Sequence, residues 1–526
     1  MRPERPGRRV GLTVTGSDPA AEEGLAFGSA RARWVLLATV GASGMAFLDS
    51  TVVNVALPHI GKDLDTDLAG LQWILNGYLL ATAALILLGG SLGDIFGRRK
   101  VFLVGVVVFA VASLACGVAA TVPLLVLARV VQGIGGALLT PGSLAILEAS
   151  FRPGDRSRAI GAWSGLSGVA SAIGPFLGGW MVDAGSWRAV FLINLPLAVV
   201  VIVVTLRHVP ESSNPTAVRK VDVPGAVLIC VALAALNWGL IAVGDNGWGA
   251  SVVVLPLLLG AICVGLFVVT ELRSRAPMLP PSIFASRQFS AANLVTVAVY
   301  AGLGIVFFLL VVQLQQVLDY SALEAGAATL PITLVMLTLS SRSGLLADRI
   351  GPRLQMSAGP LIVALGLLLM SGIGAGDTYV TAVLPAVLVV GLGLAATVAP
   401  LTSTALGAVD EGHAGVASGV NTTVARASQL AAVAIVPLLA GITGDSYLDP
   451  DVFTDGFRTG MLIAAGLVAV GAGIGAVAIR NPSPEEKAER GPDEVAGRFR
   501  CGVEGPALAR CPRAAAADEA VTPDAA

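Results

Sequence analysis

The chain has 526 residues, of which 55% are hydrophobic and only 13% charged, and its mean hydropathy is +0.81. Apolar stretches of about twenty residues recur from Trp34 to Ala478, each long enough for the roughly 30 Å of hydrocarbon that a helix must cross, so the composition excludes an ordinary soluble core. A formal net charge of -2 argues against a nucleic-acid surface, and where the basic residues sit becomes more informative than their number.

Residues 1–33 are rich in Arg, Pro and Gly and lack an apolar core or cleavage-like site. They read as a disordered cytoplasmic arm, with the first span as an uncleaved signal. Apolar runs punctuated by Gly, Pro and charge then predict helices at 34–58, 71–92, 101–120, 123–147, 159–181, 189–206, 223–243, 250–270, 289–316, 325–345, 355–375, 379–406, 414–440 and 459–479. From about residue 480 to 526 the low-complexity Ala, Pro, Glu and Arg composition reads as a second disordered cytoplasmic tail.

Short cytoplasmic loops collect Lys and Arg, which tests the partition. With the N-terminus inside, only Lys62, Arg188 and Arg458 of the 33 basic residues fall on the opposite loops, while Arg129 and Arg426 fall within spans. The opposite loops carry Asp63, Asp65 and Asp67 after the first helix and Asp445, Asp449, Asp451 and Asp455 before the last. An odd number of spans would destroy this alternation, so fourteen spans with both termini cytoplasmic are expected.

The loop after the second predicted helix reads GSLGDIFGRR from Gly90, and the loop after the tenth reads GLLADRIGPR from Gly344. Both join an inward-running helix to an outward-running one, so the repeat marks two related halves. The distance between the copies exceeds six spans by the segment 207–287, which holds two further apolar runs. The expected organisation is an all-α polytopic membrane protein: a six-helix bundle over 34–206, a linker with two inserted helices over 207–287, and a second bundle over 288–479.

Four motifs now carry a resemblance. LDSTVVNVALP (Leu48 to Pro58), the Gly90 loop, LARVVQGIGGA (Leu127 to Ala137) and GLSGVASAIGPFLGG (Gly165 to Gly179) resemble the signatures of the major facilitator superfamily, and within it the fourteen-helix drug:proton antiporters. The resemblance spans roughly residues 34 to 479. It implies a major facilitator fold, no enzymatic activity, no cofactor beyond the proton gradient, and multidrug or antibiotic efflux by alternating access across a bacterial cytoplasmic membrane. The implied partners are a small-molecule substrate, protons and the bilayer, with no nucleic acid, and a monomer is expected. An exporter of an endogenous metabolite and a transport-inactive sensor are the alternatives.

Asp49 is the acidic residue placed deep in a span, where a charge costs about 2.5 to 3.5 kcal/mol on insertion scales. It is the candidate proton site, against the alternative of a structural ion pair. At 1.5 Å per residue it lies about 22 Å from the inner end of its helix, and Arg129 lies about 9 Å from the outer end of the fourth, close to the same depth. The two could meet, and the resemblance implies that helices one and four line the central cavity. Protonation of Asp49 would then free Arg129 for substrate.

Gly165, Gly174, Pro175, Gly178 and Gly179 form the antiporter motif, where a helix breaker and small residues permit bending and close approach; the resemblance implies that it limits leak. Generic membrane-helix packing is the alternative. Gly90, Asp94, Gly97, Arg98 and Arg99, with Glu148 and the second-copy residues Asp348, Arg349 and Arg353, are candidates for cytoplasmic gating, by charges that pair across the halves in one conformation; setting the topology is the plainer role. Asn54, Gln132, Asn421, Arg426 and Gln429 are candidates for the substrate cavity. With no further deep acid in the second half, neutral, monocationic or weakly anionic substrates fit better than dications. No Walker A loop and no metal-ligand spacing occurs in the sequence, which disfavours ATP-driven transport and a metal site.

Overall fold

The computed structural model describes residues 24–213, 221–274, 277–409 and 414–481. Fourteen of its helices are long and apolar enough to cross a membrane. They are α1 (Ala30–Asp63), α2 (Leu68–Phe96), α3 (Arg98–Gly117), α4 (Val122–Ser150), α5 (Pro153–Ala184), α6 (Ala189–His208), α7 (Val223–Asn246), α8 (Ser251–Arg273), α9 (Arg287–Gln316), α10 (Ala322–Ala347), α11 (Pro352–Met370), α12 (Tyr379–Leu406), α13 (Val416–Leu439) and α14 (Pro450–Ala478). No β-strand occurs among the described residues.

Local chemistry sets several helix starts beyond the expected ones. Ser29 accepts the backbone N–H of Ala32, so α1 begins at Ala30 rather than at 34. Asp449 accepts the N–H groups of Asp451 and Val452 with Pro450 at the first helical position, so α14 begins well before the expected residue 459. Leu25 pairs with the backbone of Ser150 and Arg152, and the Phe27 N–H donates to Asp155. Residues 24–33 are thus tied to the α4–α5 turn or lie in α1, and are not part of a disordered arm. Residues 1–23 and 482–526 of the expected arm and tail lie outside the described residues.

The packing follows a two-fold repeat. Within the first half α1 packs on α5 and α6, α4 on α2 and α3, and α3 on α6. The second half repeats each of these pairs with helices eight places later: α9 on α13 and α14, α12 on α10 and α11, and α11 on α14. Across the halves α2 lies on α13 and α5 on α10, again a symmetric pair. The inserted helices α7 and α8 pack on each other, and α7 docks on α2 and α13, outside the symmetric set.

The two copies of the repeated loop are built alike. Gly97 and Gly351 close α2 and α10 at φ of 108° and 86°, backbone conformations that side-chain-bearing residues rarely adopt. The Arg99 N–H donates to Glu211 and its guanidinium to the Leu206 carbonyl, both at the end of α6. The Arg353 N–H donates to Asn481 and its guanidinium to the Ala476 carbonyl, both at the end of α14. In each half the loop is latched to the last helix of its own bundle.

Hydrogen bonds across the halves gather at the end rich in aspartates. Gln72 donates to the Val433 carbonyl at 2.7 Å, Gln315 to the Val55 carbonyl at 3.0 Å, and the Tyr447 hydroxyl to the Thr66 carbonyl at 2.8 Å. Asp183, at the end of α5, accepts the N–H groups of Ala322 and Leu323 at the start of α10 at 3.1 and 2.9 Å, a helix cap supplied by the other half. At this end Gly179 abuts Ala322, and Gly326 abuts the Pro175 carbonyl. Further along α5 the space beside Gly165 and Gly168 is open. The cross-half contacts of α5 with α10 gather at the acidic end, while α2 and α13 also meet nearer the basic end, where Gly419 abuts Leu87.

Gly351→Ala is expected to cost about 1 to 3 kcal/mol through backbone strain, and Gly165→Ala close to nothing; thermal unfolding in detergent compares them, and equal losses would contradict the assignment. Asp183→Ala should weaken the cap by about 0.5 to 2 kcal/mol. Spin labels at the exposed Lys62 and Asp451 positions should then report longer distances across the acidic end, and an unchanged distribution would remove Asp183 from the lock.

Candidate functional site

Asp49 and Arg129 meet. Neither is open to solvent, at 0% and 1% exposure, and Arg129 Nη1 lies 2.5 Å from Asp49 Oδ2. The other carboxylate oxygen accepts from Gln132 Nε2 at 2.8 Å and Asn194 Nδ2 at 3.1 Å. Arg129 also donates to Gln132 Oε1 and the Ile74 carbonyl. Ser113 accepts from both Gln132 and Asn194 and donates to the Phe191 carbonyl. Helices α1, α2, α3, α4 and α6 thus converge on one carboxylate, and its neighbours are themselves held by hydrogen bonds. A buried pair survives in an apolar interior only when its remaining donors and acceptors are satisfied in this way.

The guanidinium lies over the Tyr78 ring, 4.5 Å from its centroid, and 5.7 Å from that of Phe191. Tyr78 is fully buried, and its hydroxyl donates to the Ala46 carbonyl. The pair therefore sits inside the first bundle with Tyr78 as one wall. Gln132, a cavity candidate from sequence, is fully buried in this network. It serves the carboxylate and does not line an accessible cavity. Asn54 spends its amide on the Ser50 carbonyl of its own helix. Nothing in the sequence pattern distinguished Asn194 or Ser113, whose roles depend on α3 and α6 packing beside α4.

The antiporter motif lies along the contact of α5 with α1. Pro175 has no N–H, so the carbonyl four residues earlier, Ser171, loses its helical partner, and the Thr51 hydroxyl of α1 reaches it at 3.2 Å. A side chain at Gly174 or Gly178 would meet the Leu48 carbonyl at 3.3 Å or the Val52 carbonyl at 2.9 Å. Gly165, the first glycine of the motif, makes no close approach. The equivalent crossing in the second half reverses the arrangement: the small residue is Gly304 on α9, and it faces Gln429 on α13. Gln429 thus packs where the first half has Gly174.

Of the gating candidates, Arg98 pairs with Asp94 at 2.8 Å and donates to the Ala145 carbonyl. Glu148 is partly buried near Arg98, Arg156 and Asp94. Gly90 sits beside Pro141. Arg99 and Arg353 are latched within their own halves, as above, and Arg349 is exposed. The Asp348 side chain lies outside the described residues. Among the described residues, Asp94, Arg98, Arg99 and Arg353 form no charge pair across the halves in this conformation.

In the second half Asn421 donates to Asn293 and Thr296 of α9 at 3.2 and 2.8 Å. Arg426, one turn further along α13, is partly exposed. It lies within electrostatic range of Tyr78 of α2 and Tyr300 of α9.

Arg129→Gln should destabilise the protein by about 3 to 5 kcal/mol, because it strands the Asp49 charge. The double variant Asp49→Asn/Arg129→Gln should recover most of that loss. Denaturant unfolding in detergent measures both, and a double variant no more stable than the single would show that the pair is not what holds this interior.

Residues 39–433 match the Major Facilitator Superfamily model. The chain is 36% identical over 420 residues, 79% of its length and 77% of the relative's, to the tetracenomycin C resistance and export protein of Streptomyces glaucescens. It is 35% identical over 386 residues, 73% of its length and 71% of the relative's, to the multidrug resistance protein Stp of Mycobacterium tuberculosis. Its fold superposes on the inward-facing, occupied crystal structure of a bacterial homologue of the human lysosomal transporter Spinster, with a TM-score of 0.62 and 17% identity over 87% of this chain and all of that one. Two halves of six helices related by a two-fold repeat, and a match over most of the chain, lead to one conclusion: this protein belongs to the Major Facilitator Superfamily and is a membrane transporter of small molecules, not an enzyme.

Proposed function

We propose that the protein exports small amphipathic compounds of the drug or antibiotic type across a bacterial cytoplasmic membrane in exchange for protons. The basic end, which carries both termini of the described chain, faces the cytoplasm in this reading, in keeping with the bias of Lys and Arg. The cross-half hydrogen bonds at the acidic end, with the open space beside Gly165 and Gly168 further along α5, support a conformation that loads substrate from inside. Alternation would break the Asp183 cap and its neighbours and bring the two repeated loops together.

The observation that carries the proton role is the fully buried carboxylate of Asp49, balanced by one guanidinium. Protonation would cancel one charge of the pair and leave Arg129 positive against Tyr78, on the wall toward the second half. Because Arg129 is fully enclosed, the effect would reach substrate through the field and packing at Tyr78, not by direct contact. The names of the two relatives, one for resistance to and export of a single antibiotic and one for multidrug resistance, support drug export. The former also favours a second reading, a dedicated exporter of the producing cell's own compound, which would use the same machinery.

Substrate-induced proton release from inverted vesicles tests coupling, with tetracenomycin C and ethidium as probes. Wild type should release protons on addition of a transported compound, and Asp49→Asn should lower the coupled signal at least tenfold. Full coupling in Asp49→Asn would sink the assignment of the proton site.

A further inference from the structure

Arg129 and Arg426 are the two arginines deep within the spans, and their surroundings differ in kind. Arg129 has a carboxylate, an amide and a carbonyl. Arg426 has, among the described residues, neither a carboxylate within ion-pair distance nor a hydrogen bond. It lies on the fourth turn of α13, a helix flanked by α2, α7, α9, α12 and α14, so it is surrounded by protein and does not face lipid. Its neighbours in range are the phenols of Tyr78 and Tyr300, one from each half. The residues around it on α13, Asn421, Thr422, Thr423, Ala427 and Gln429, are all partly open, and the Thr423 hydroxyl has no partner.

We propose that Arg426 is the anchor for an ionised acidic group on the exported compound, a carboxylate or an acidic phenolate on an apolar aromatic body. A guanidinium stays charged at any physiological pH and offers five N–H donors in a planar fork that matches a carboxylate. Left unpaired at mid-membrane it would be costly, and the buried acid of the first bundle, Asp49, is committed to Arg129. The counter-charge is therefore brought by the substrate. Tyr300, partly open, gives a flanking aromatic surface, while Tyr78 is fully buried and acts through its field alone. The placement also links the two sites: Tyr78 stacks under Arg129 and lies within electrostatic range of Arg426, so neutralising Arg426 with an anion changes the field beside the Asp49–Arg129 pair. An inside-negative potential itself favours expulsion of an anion, which adds to the proton drive.

This assignment names the substrate class within the export reading above and rests on it. The test uses the full chain in lipid nanodiscs and two matched probe pairs: 1-naphthaleneacetate with its carboxamide, and anthracene-9-carboxylate with its carboxamide. Wild type should bind each acid at least tenfold more tightly than its amide at neutral pH. Arg426→Gln should bring the ratio near one while retaining the amide affinity, which certifies that the variant is folded, and Arg426→Lys should hold an intermediate preference. Equal affinities for acid and amide in wild type, no binding of either acid, or a preference that survives in Arg426→Gln would each overturn the proposal. Proton release by wild type with ethidium, measured in parallel, reports on export by itself. If it persists while the acid preference is absent, the anion anchor falls and the export reading stands.

Discussion

A charge within hydrocarbon has no water to fall back on, so the protein must supply its partner, and most of this structure can be followed from that requirement. Asp49 and Arg129 answer it together. Five helices deliver the residues that surround them; Gln132 and Asn194 bind the carboxylate, and Ser113 accepts from both of these. Removing one member would strand the other, whereas the pair closes on itself. The interior of the first bundle is organised around this closed polar centre, and among the described residues the second bundle has no equivalent ion pair. There the charge is Arg426, and it is open.

The same requirement applies to the backbone. Pro175 leaves a carbonyl of α5 without its helical donor, and Thr51 of the neighbouring helix makes good the loss. The glycines around it let α1 and α5 come close enough for that contact. At the acidic end, the first N–H groups of α10 are satisfied by Asp183 from the other half. This kind of bond would suit a moving part: were the halves to separate there, both the carboxylate and the amides would meet water and lose little.

Two related halves with one closed and one open charge make a transporter asymmetric despite its symmetric scaffold. The repeated loops, with Gly97 and Gly351 at positive φ and their arginines latched to the last helix of each bundle, keep each half rigid. The difference between the halves lies in the spans: Gly174 and Pro175 are on α5 in one, whereas in the other the glycine has passed to α9 and Gln429 stands on α13. Stiff bundles and a differentiated interface are what rocking about a central site requires.

The number of spans, their approximate limits, the internal repeat, and the shared depth of Asp49 and Arg129 were legible in the sequence alone. Each depends on local length, composition or a fixed rise per residue, and these do not change with packing. The sequence could say that Asp49 and Arg129 lie at one level, but not that α1 and α4 are neighbours, and it put Gln132 on a cavity wall when it belongs to the carboxylate network. Asn194 and Ser113 left no signal, since an Asn or Ser in an apolar run looks the same whether it faces a carboxylate or its own backbone. The charges of the repeated loops could equally have joined the halves or latched each half to itself. Which face of each helix turns inward, which carbonyl a proline exposes to which neighbour, and that Arg426 has no acid partner among the described residues are matters of rotation and contact between helices far apart in the chain. Only the tertiary structure decides them, because a helix's sequence fixes its length and its apolar stripe, while its partners are chosen by the packing of all fourteen.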